Sequence, residues 1–148
     1  MGTLDLKTGE TMPYLPEDKT EVEMAQFSPD GKWVAFDKET GGVKQIYVAS
    51  FPVPSVFFPL TTEGGCAAKW RGDGKAIFYL GPGDTLYSVS VAASSGGFRI
   101  GKPAALFEPP IFYAPWNCIS FDVSKDGSRY VINTVAPPTA QELVSIAY

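Results

Sequence analysis

Histidine is absent from all 148 residues, which removes the Ser-His-Asp and Cys-His nucleophilic arrangements and every imidazole-based metal site. The groupings that then need weighing are an acidic stretch, two thiols and a few glycine-rich turns. Glu17, Asp18, Glu21 and Glu23 form an acidic stretch with hard oxygen atoms that suit Ca²⁺, but their spacing matches no calcium loop and reads as solvated charge. Arg71-Gly72-Asp73 spells an adhesion tripeptide, yet it stands where a hairpin turn is required, and the turn explains it. Gly81-Pro82-Gly83 is followed by no helix N-terminus that would receive a phosphate, and also reads as a turn. A Gly-x-Ser-x-Gly elbow is missing. No catalytic residue, metal site or cofactor is therefore expected, and the chain does not read as an enzyme.

The elements that must position these groups follow from a recurring turn. Phe27-Ser28-Pro29-Asp30-Gly31 precedes the apolar run Trp33-Val34-Ala35-Phe36, Trp70-Arg71-Gly72-Asp73-Gly74 precedes Ala76-Ile77-Phe78-Tyr79, and Val123-Ser124-Lys125-Asp126-Gly127 precedes Tyr130-Val131-Ile132. The three Asp residues lie 43 and then 53 residues apart, close to the roughly 40 to 45 residues of a four-stranded propeller blade. Each repeat reads as four strands, A to D, with the Asp-Gly turn joining A to B. The first has A at Met24 to Phe27, B at Trp33 to Asp37, C at Gln45 to Phe51 and D at Val56 to Leu60. The second has A at Ala67 to Trp70, B at Ala76 to Leu80, C at Thr85 to Ala92 and D near Phe98 to Leu106. The third has A at Ile119 to Val123, B at Tyr130 to Thr134 and C at Glu142 to Tyr148, with no fourth strand.

Thr3 to Leu6 and Thr11 to Leu15 read as the last two strands of a preceding blade. The expected fold class is thus all-β, a β-propeller segment of about three four-stranded antiparallel blades plus a strand pair from a neighbour. The expected divisions are 1–16 for that pair, 20–62 for the first blade, 64–107 for the second and 117–148 for an incomplete third. Trp33, Phe36, Trp70, Phe78, Tyr79, Phe121 and Tyr130 fall on strands A and B, where aromatics fill the space between blades.

Composition agrees: 45% hydrophobic residues with 15 Gly, 13 Pro and only 19% charged residues suit short strands joined by turns. A net charge of -4 without a basic cluster argues against nucleic acid or an anionic membrane surface as partner. There is no apolar run long enough to span a bilayer, and the N-terminus lacks a signal-peptide pattern. Cys66 and Cys118 are too few for a disulfide framework. Each precedes the first strand of its repeat, which allows a bond between them, but two buried free thiols are expected.

The Phe27 to Phe36 run, with Leu4-Asp5-Leu6-Lys7-Thr8-Gly9-Glu10 as a blade ending, resembles the WD40-like repeats of TolB-type bacterial propellers. The run from Met24 to Tyr148 is similar to the C-terminal propeller blades of bacterial multidomain serine/threonine kinases. The resemblance implies a non-catalytic binding or sensing module and an extracytoplasmic, periplasmic setting. It also implies six or more blades. Two chains joining head to tail would close a six-bladed ring, with Thr11 to Leu15 of one completing the strand-deficient blade of the other; alternatively, the rest of a longer propeller supplies the missing blades.

In such a ring the D to A and B to C loops converge on one face, where binding is normally built. That face collects Glu21, Glu23, Lys38, Glu39, Glu63 to Cys66 and Pro82 to Asp84, with the Phe112, Tyr113, Trp116 and Asn117 loop. Glu21, Glu23, Glu63, Tyr113, Trp116 and Asn117 are the candidate ligand-binding residues. Aromatics beside Asn and carboxylates suit a peptide or small polar ligand. The alternatives are a half-propeller whose role is oligomeric assembly and an accessory propeller of a larger enzyme.

Overall fold

The structure, a computed structural model, describes residues 1–15, 21–94, 97–109 and 121–132. Its strands are β1 (Gly2–Leu4), β2 (Thr11–Pro13), β3 (Val22–Phe27), β4 (Trp33–Thr40), β5 (Val43–Ser50), β6 (Phe57–Pro59), β7 (Cys66–Trp70), β8 (Ala76–Leu80), β9 (Leu86–Ser94), β10 (Gly97–Ile100), β11 (Ala104–Phe107), β12 (Phe121–Val123) and β13 (Tyr130–Ile132). All pairing is antiparallel between them. The sheets run β1-β2, then β3-β4-β5-β6, then β7-β8-β9 with β10 and β11 both on the outer side of β9, then β12-β13. The strand expected near Phe98 to Leu106 is thus two strands. Gly101-Lys102-Pro103 interrupts it, since proline cannot donate to the ladder. The strand expected at Glu142 to Tyr148 lies outside the described residues.

The Asp-Gly turn is a hydrogen-bonded unit. Ser28 N–H donates to Trp33 O at 2.8 Å and Gly31 N–H to Ser28 O at 2.9 Å, while Ser28 Oγ donates to Asp30 at 2.6 Å and accepts from Trp33 N–H at 3.0 Å. Asp30 also accepts from Lys32 N–H at 3.1 Å. The third turn repeats this around Ser124, Asp126 and Arg129. In the second turn Arg71 stands at the serine position and grips Asp73 through two guanidinium contacts of 2.8 and 2.9 Å. Both charged groups of the adhesion tripeptide are therefore engaged with each other.

Alternation along the second strand of each sheet builds the core. Val34 and Phe36 face back onto Tyr14 and Leu15, whereas Ala35 faces forward and joins Ile46, Val48 and Leu60 to Trp70, Ile77, Tyr79 and Phe98. One repeat on, Ile77 and Tyr79 face back, while Phe78 and Leu80 face forward onto Phe121. Of the seven expected core aromatics, Phe36, Trp70, Phe78, Tyr79 and Phe121 are buried; Trp33 and Tyr130 are half-buried and pack against those layers.

The second and third turns also touch directly. Gly72 N–H donates to Lys125 O at 2.9 Å, and a Cβ on Gly72 would lie 2.7 Å from that oxygen. Glycine at the position of Pro29 is thus a requirement of this close approach. Gly72→Ala is expected to cost about 1 to 3 kcal/mol by overpacking, with amides of 121–132 exchanging faster before those of β4 and β5 change. Uniform protection in the variant would refute this contact as a docking point.

One sequence expectation fails here. Cys66 is disulfide-bonded, so the reading of two free thiols is wrong. β7, which Cys66 begins, packs beside β12, so the second and third repeats lie against each other at this cysteine. The chain's one other cysteine, Cys118, lies outside the described residues.

Candidate functional site

The end of the sheets opposite the Asp-Gly turns carries a small recess in the first blade, lined by Glu21, Glu23, Asp37, Lys38, Glu39 and Lys44. Three local features build it. The start of β3 and the end of β4 lie side by side, with Glu23 opposite Asp37 in register. Gly41 and Gly42 both take positive φ, 62° and 80°, in the tight turn that brings Lys44 on β5 back beside Glu39. Lys44 Nζ then reaches Glu23 at 2.6 Å, which raises the lysine pKa.

Asp37 forms the floor. It is 1% exposed, and by repeat register it occupies the forward-facing position that Leu80 fills in the second blade, where Cys66 opposes Leu80 as Glu23 opposes Asp37. Its Oδ2 accepts a 2.8 Å hydrogen bond from Ala67 N–H of the next blade. Ala67 has φ 58° at a register shift between Cys66 and Lys69, a bulge that takes its N–H out of the ladder and turns it to Asp37. Asp37 Oδ1 is buried and has no hydrogen-bond partner among the described residues.

Burial is the largest influence on this carboxyl and pushes its pKa up to about 6; the Ala67 N–H, Lys44 and Lys69 pull it down, and Glu23 pushes it up. The folded chain therefore holds this proton more tightly than the unfolded chain, whose value is 3.8. The associated stability is fully present below about pH 4 and is lost as pH rises through about 6, a loss on the order of 3 kcal/mol. Asp37→Asn keeps an oxygen for Ala67 and removes the charge. Urea unfolding from pH 4 to 8 is expected to show this decline in the wild type and a flatter profile in the variant; parallel profiles would rule it out.

Beside the recess, the β6–β7 connection is tied to β5. Buried Thr61 accepts from Ile46 N–H at 2.9 Å and donates to Gln45 Oε1 at 2.7 Å, and Gly65 N–H donates to Lys44 O at 2.9 Å. These bonds hold exposed Glu63 at the same end of the blade. Of the sequence candidates, Glu21 and Glu23 line the recess, Glu63 is exposed on the β6–β7 connection and is not part of the lining, and Tyr113, Trp116 and Asn117 lie outside the described residues. Asp37 and Lys44 were missed as site residues. Aligning the repeats on their Asp-Gly turns would have set Asp37 against Leu80, a carboxylate at a core position.

A second, open groove lies at the Asp-Gly end, between Gly72-Asp73 and Ser124-Lys125-Asp126. Its carboxylates are engaged in their own turns: Arg71 holds the Asp73 pKa down to about 2, and Ser124 with Ser128 does the same for Asp126. Among the described residues, no three of the His, Cys, Asp and Glu side chains stand together as a metal site. No helix among them is long and apolar enough to cross a membrane.

No protein-family model matches the chain, and no curated protein is significantly similar to it. Among solved structures, TolB from Acinetobacter baumannii is similar with a TM-score of 0.60 and 21% identity over 93% of this chain. The match covers 32% of the TolB chain, so the residues described span about a third of that protein's length. Four antiparallel sheets among the described residues, three of them turned by the same Asp-Gly hairpin, make this chain a segment of a β-propeller with a TolB-like fold.

Proposed function

We propose that the chain is a non-catalytic recognition module, an arc of a propeller that binds a peptide or small polar ligand at the end where β3 begins and β4, β5 and the β6–β7 connection meet. One observation carries this reading: a carboxylate occupies a core position on the floor of a concave, acid-rimmed surface. Burying a carboxylate with an unpaired oxygen costs stability, and such local violations of good packing are expected at functional sites. Glu21, Glu23 and Glu63 would contact the ligand, as would Tyr113, Trp116 and Asn117 from the loop before the third repeat. The test is selection of ligands from peptide and glycan arrays, repeated with the Glu21→Lys/Glu39→Lys double variant and with Lys125→Glu at the opposite end. Signals should vanish in the first and persist in the second. Equal binding by all three proteins would overturn the assignment.

A second reading, assembly, is favoured by the two-stranded sheets at either side. Leu4, Met12 and Val131 on them are exposed at 57%, 63% and 76%, and Tyr14 and Leu15 already pack against the first blade. In this reading the β1-β2 sheet completes the third blade of another copy, giving a six-bladed ring, or joins the neighbouring blade of a longer propeller, such as one following a kinase domain. Light scattering behind size exclusion should return twice the 15.9 kDa chain mass if copies close the ring, and a monomer excludes that closure. The disulfide at Cys66 supports an oxidising, extracytoplasmic setting.

A further inference from the structure

We propose that the recess of the first blade is a subsite for a primary ammonium group, seated on the orphaned oxygen of Asp37 and flanked by Glu21 and Glu39. The inference rests on the recognition face proposed above and names the chemistry that part of the face takes. The floor supplies a buried acceptor with no partner among the described residues, and the rim supplies exposed carboxylates. There is room for about one water-sized group. An ammonium already sits well against this lining, since Lys44 Nζ of the chain itself lies 2.6 Å from Glu23. The four carboxylates and two lysines of the recess leave it negative when Asp37 is ionised, so a further cation is matched in charge. An ammonium brings three N–H donors, so that one can face the Asp37 floor while the others remain for the rim or for water. A metal ion fits less well, because these carboxylates do not converge as a metal-binding group.

Binding to this subsite is gated by the Asp37 proton. The charged groups around Asp37 are Glu21 and Glu23 at the start of β3, Lys38 and Glu39 on β4, Lys44 on β5 and Lys69 on β7. With its carboxyl titrating at about 6, about one Asp37 in ten is ionised at pH 5 and nearly all are at pH 7.5. A ligand that binds the ionised form alone is therefore about tenfold weaker at pH 5.

The experiment is a titration of the ¹⁵N-labelled chain with methylammonium chloride, read at the Ala67 amide that is hydrogen-bonded to Asp37. A saturable shift at pH 7.5, about tenfold weaker at pH 5 and absent with tetramethylammonium chloride, is the expected result. Asp37→Asn should abolish it. If that variant fails to fold, Glu21→Gln, on the exposed rim, should weaken it. No saturable shift at pH 7.5, equal affinity at both pH values, or an equal response to tetramethylammonium overturns the subsite. Array ligands that bind the face while methylammonium does not would overturn the subsite alone. Methylammonium bound as expected, with array ligands indifferent to Glu21 and Glu39, would overturn the recognition face and leave the subsite standing.

Discussion

Trp70→Ala is expected to lower the unfolding free energy by about 3 to 5 kcal/mol. Trp70 is 8% exposed at the meeting of the first and second blades, in the layer that joins Ala35, Ile46 and Val48 to Ile77, Val89 and Phe98. Its ring meets Phe98 edge-on at 6.0 Å, and its indole N–H donates to Gln26 O at 3.3 Å while its backbone N–H donates to Gln26 Oε1 at 3.2 Å. Removing the side chain empties a cavity between two sheets that cannot close it without sliding past each other. Trp70→Phe keeps most of the packing and loses the indole bond, at about 1 to 2 kcal/mol. Urea unfolding followed by far-ultraviolet circular dichroism measures both. A cost below about 1 kcal/mol for the alanine variant, or two separate transitions in the wild type, would mean that the blades are stable one by one and that this layer does not bind them.

Reduction of the disulfide at Cys66 is expected to cost a further amount of similar size. A bond from Cys66 to the chain's other cysteine closes a loop of about 50 residues, for which chain entropy gives about 4 kcal/mol and strain in practice leaves about 2 to 4. The unfolding midpoint in urea should fall on adding a phosphine reductant, and Cys66→Ser should start at the reduced midpoint and not respond. Alkylation of the unreduced, unfolded chain should add no mass; two alkyl groups would show that the bond is absent. The loss should concentrate on the contact between β7 and β12, so that proteolysis after reduction first releases the third repeat.

Most of the architecture was legible in the primary structure because the repeat writes it in local chemistry. Gly31, Gly74 and Gly127 all take positive φ in the same turn, and each is fixed by the Asp before it and the apolar run after it. β8 spans the residues that alternation alone assigns to it, and β4 runs three residues past its expected end because Lys38, Glu39 and Thr40 keep pairing with β5. The role of the turn's Asp was only half visible: it is a hub for Ser28 Oγ and Lys32 N–H. The shared spacing of Ser28 to Asp30 and of Ser124 to Asp126 already carried that information. What local patterns do not carry is contact between repeats. Asp37 stands in the sequence only as the end of a strand, and nothing local marks it as a site residue, because its partner, Ala67 N–H, is 30 residues away and is aimed by a bulge that no residue type announces. Gly72 and the redox state of Cys66 were hidden for the same reason: each is settled by a neighbouring blade.

The hairpins and the recess together give the segment two unlike electrical ends. Lys32, Arg71, Lys75, Lys125 and Arg129 cluster at the turns, where Asp30, Asp73 and Asp126 offset only part of their charge. Glu21, Glu23, Glu39 and Glu63 crowd the other end around Lys38 and Lys44. Such a dipole turns an approaching cation toward the recess before any contact forms, and it acts on the rate of encounter more than on the lifetime of the complex. Association with a basic partner should therefore slow steeply as salt shortens the reach of the field to about 10 Å at 0.1 M, while dissociation changes little.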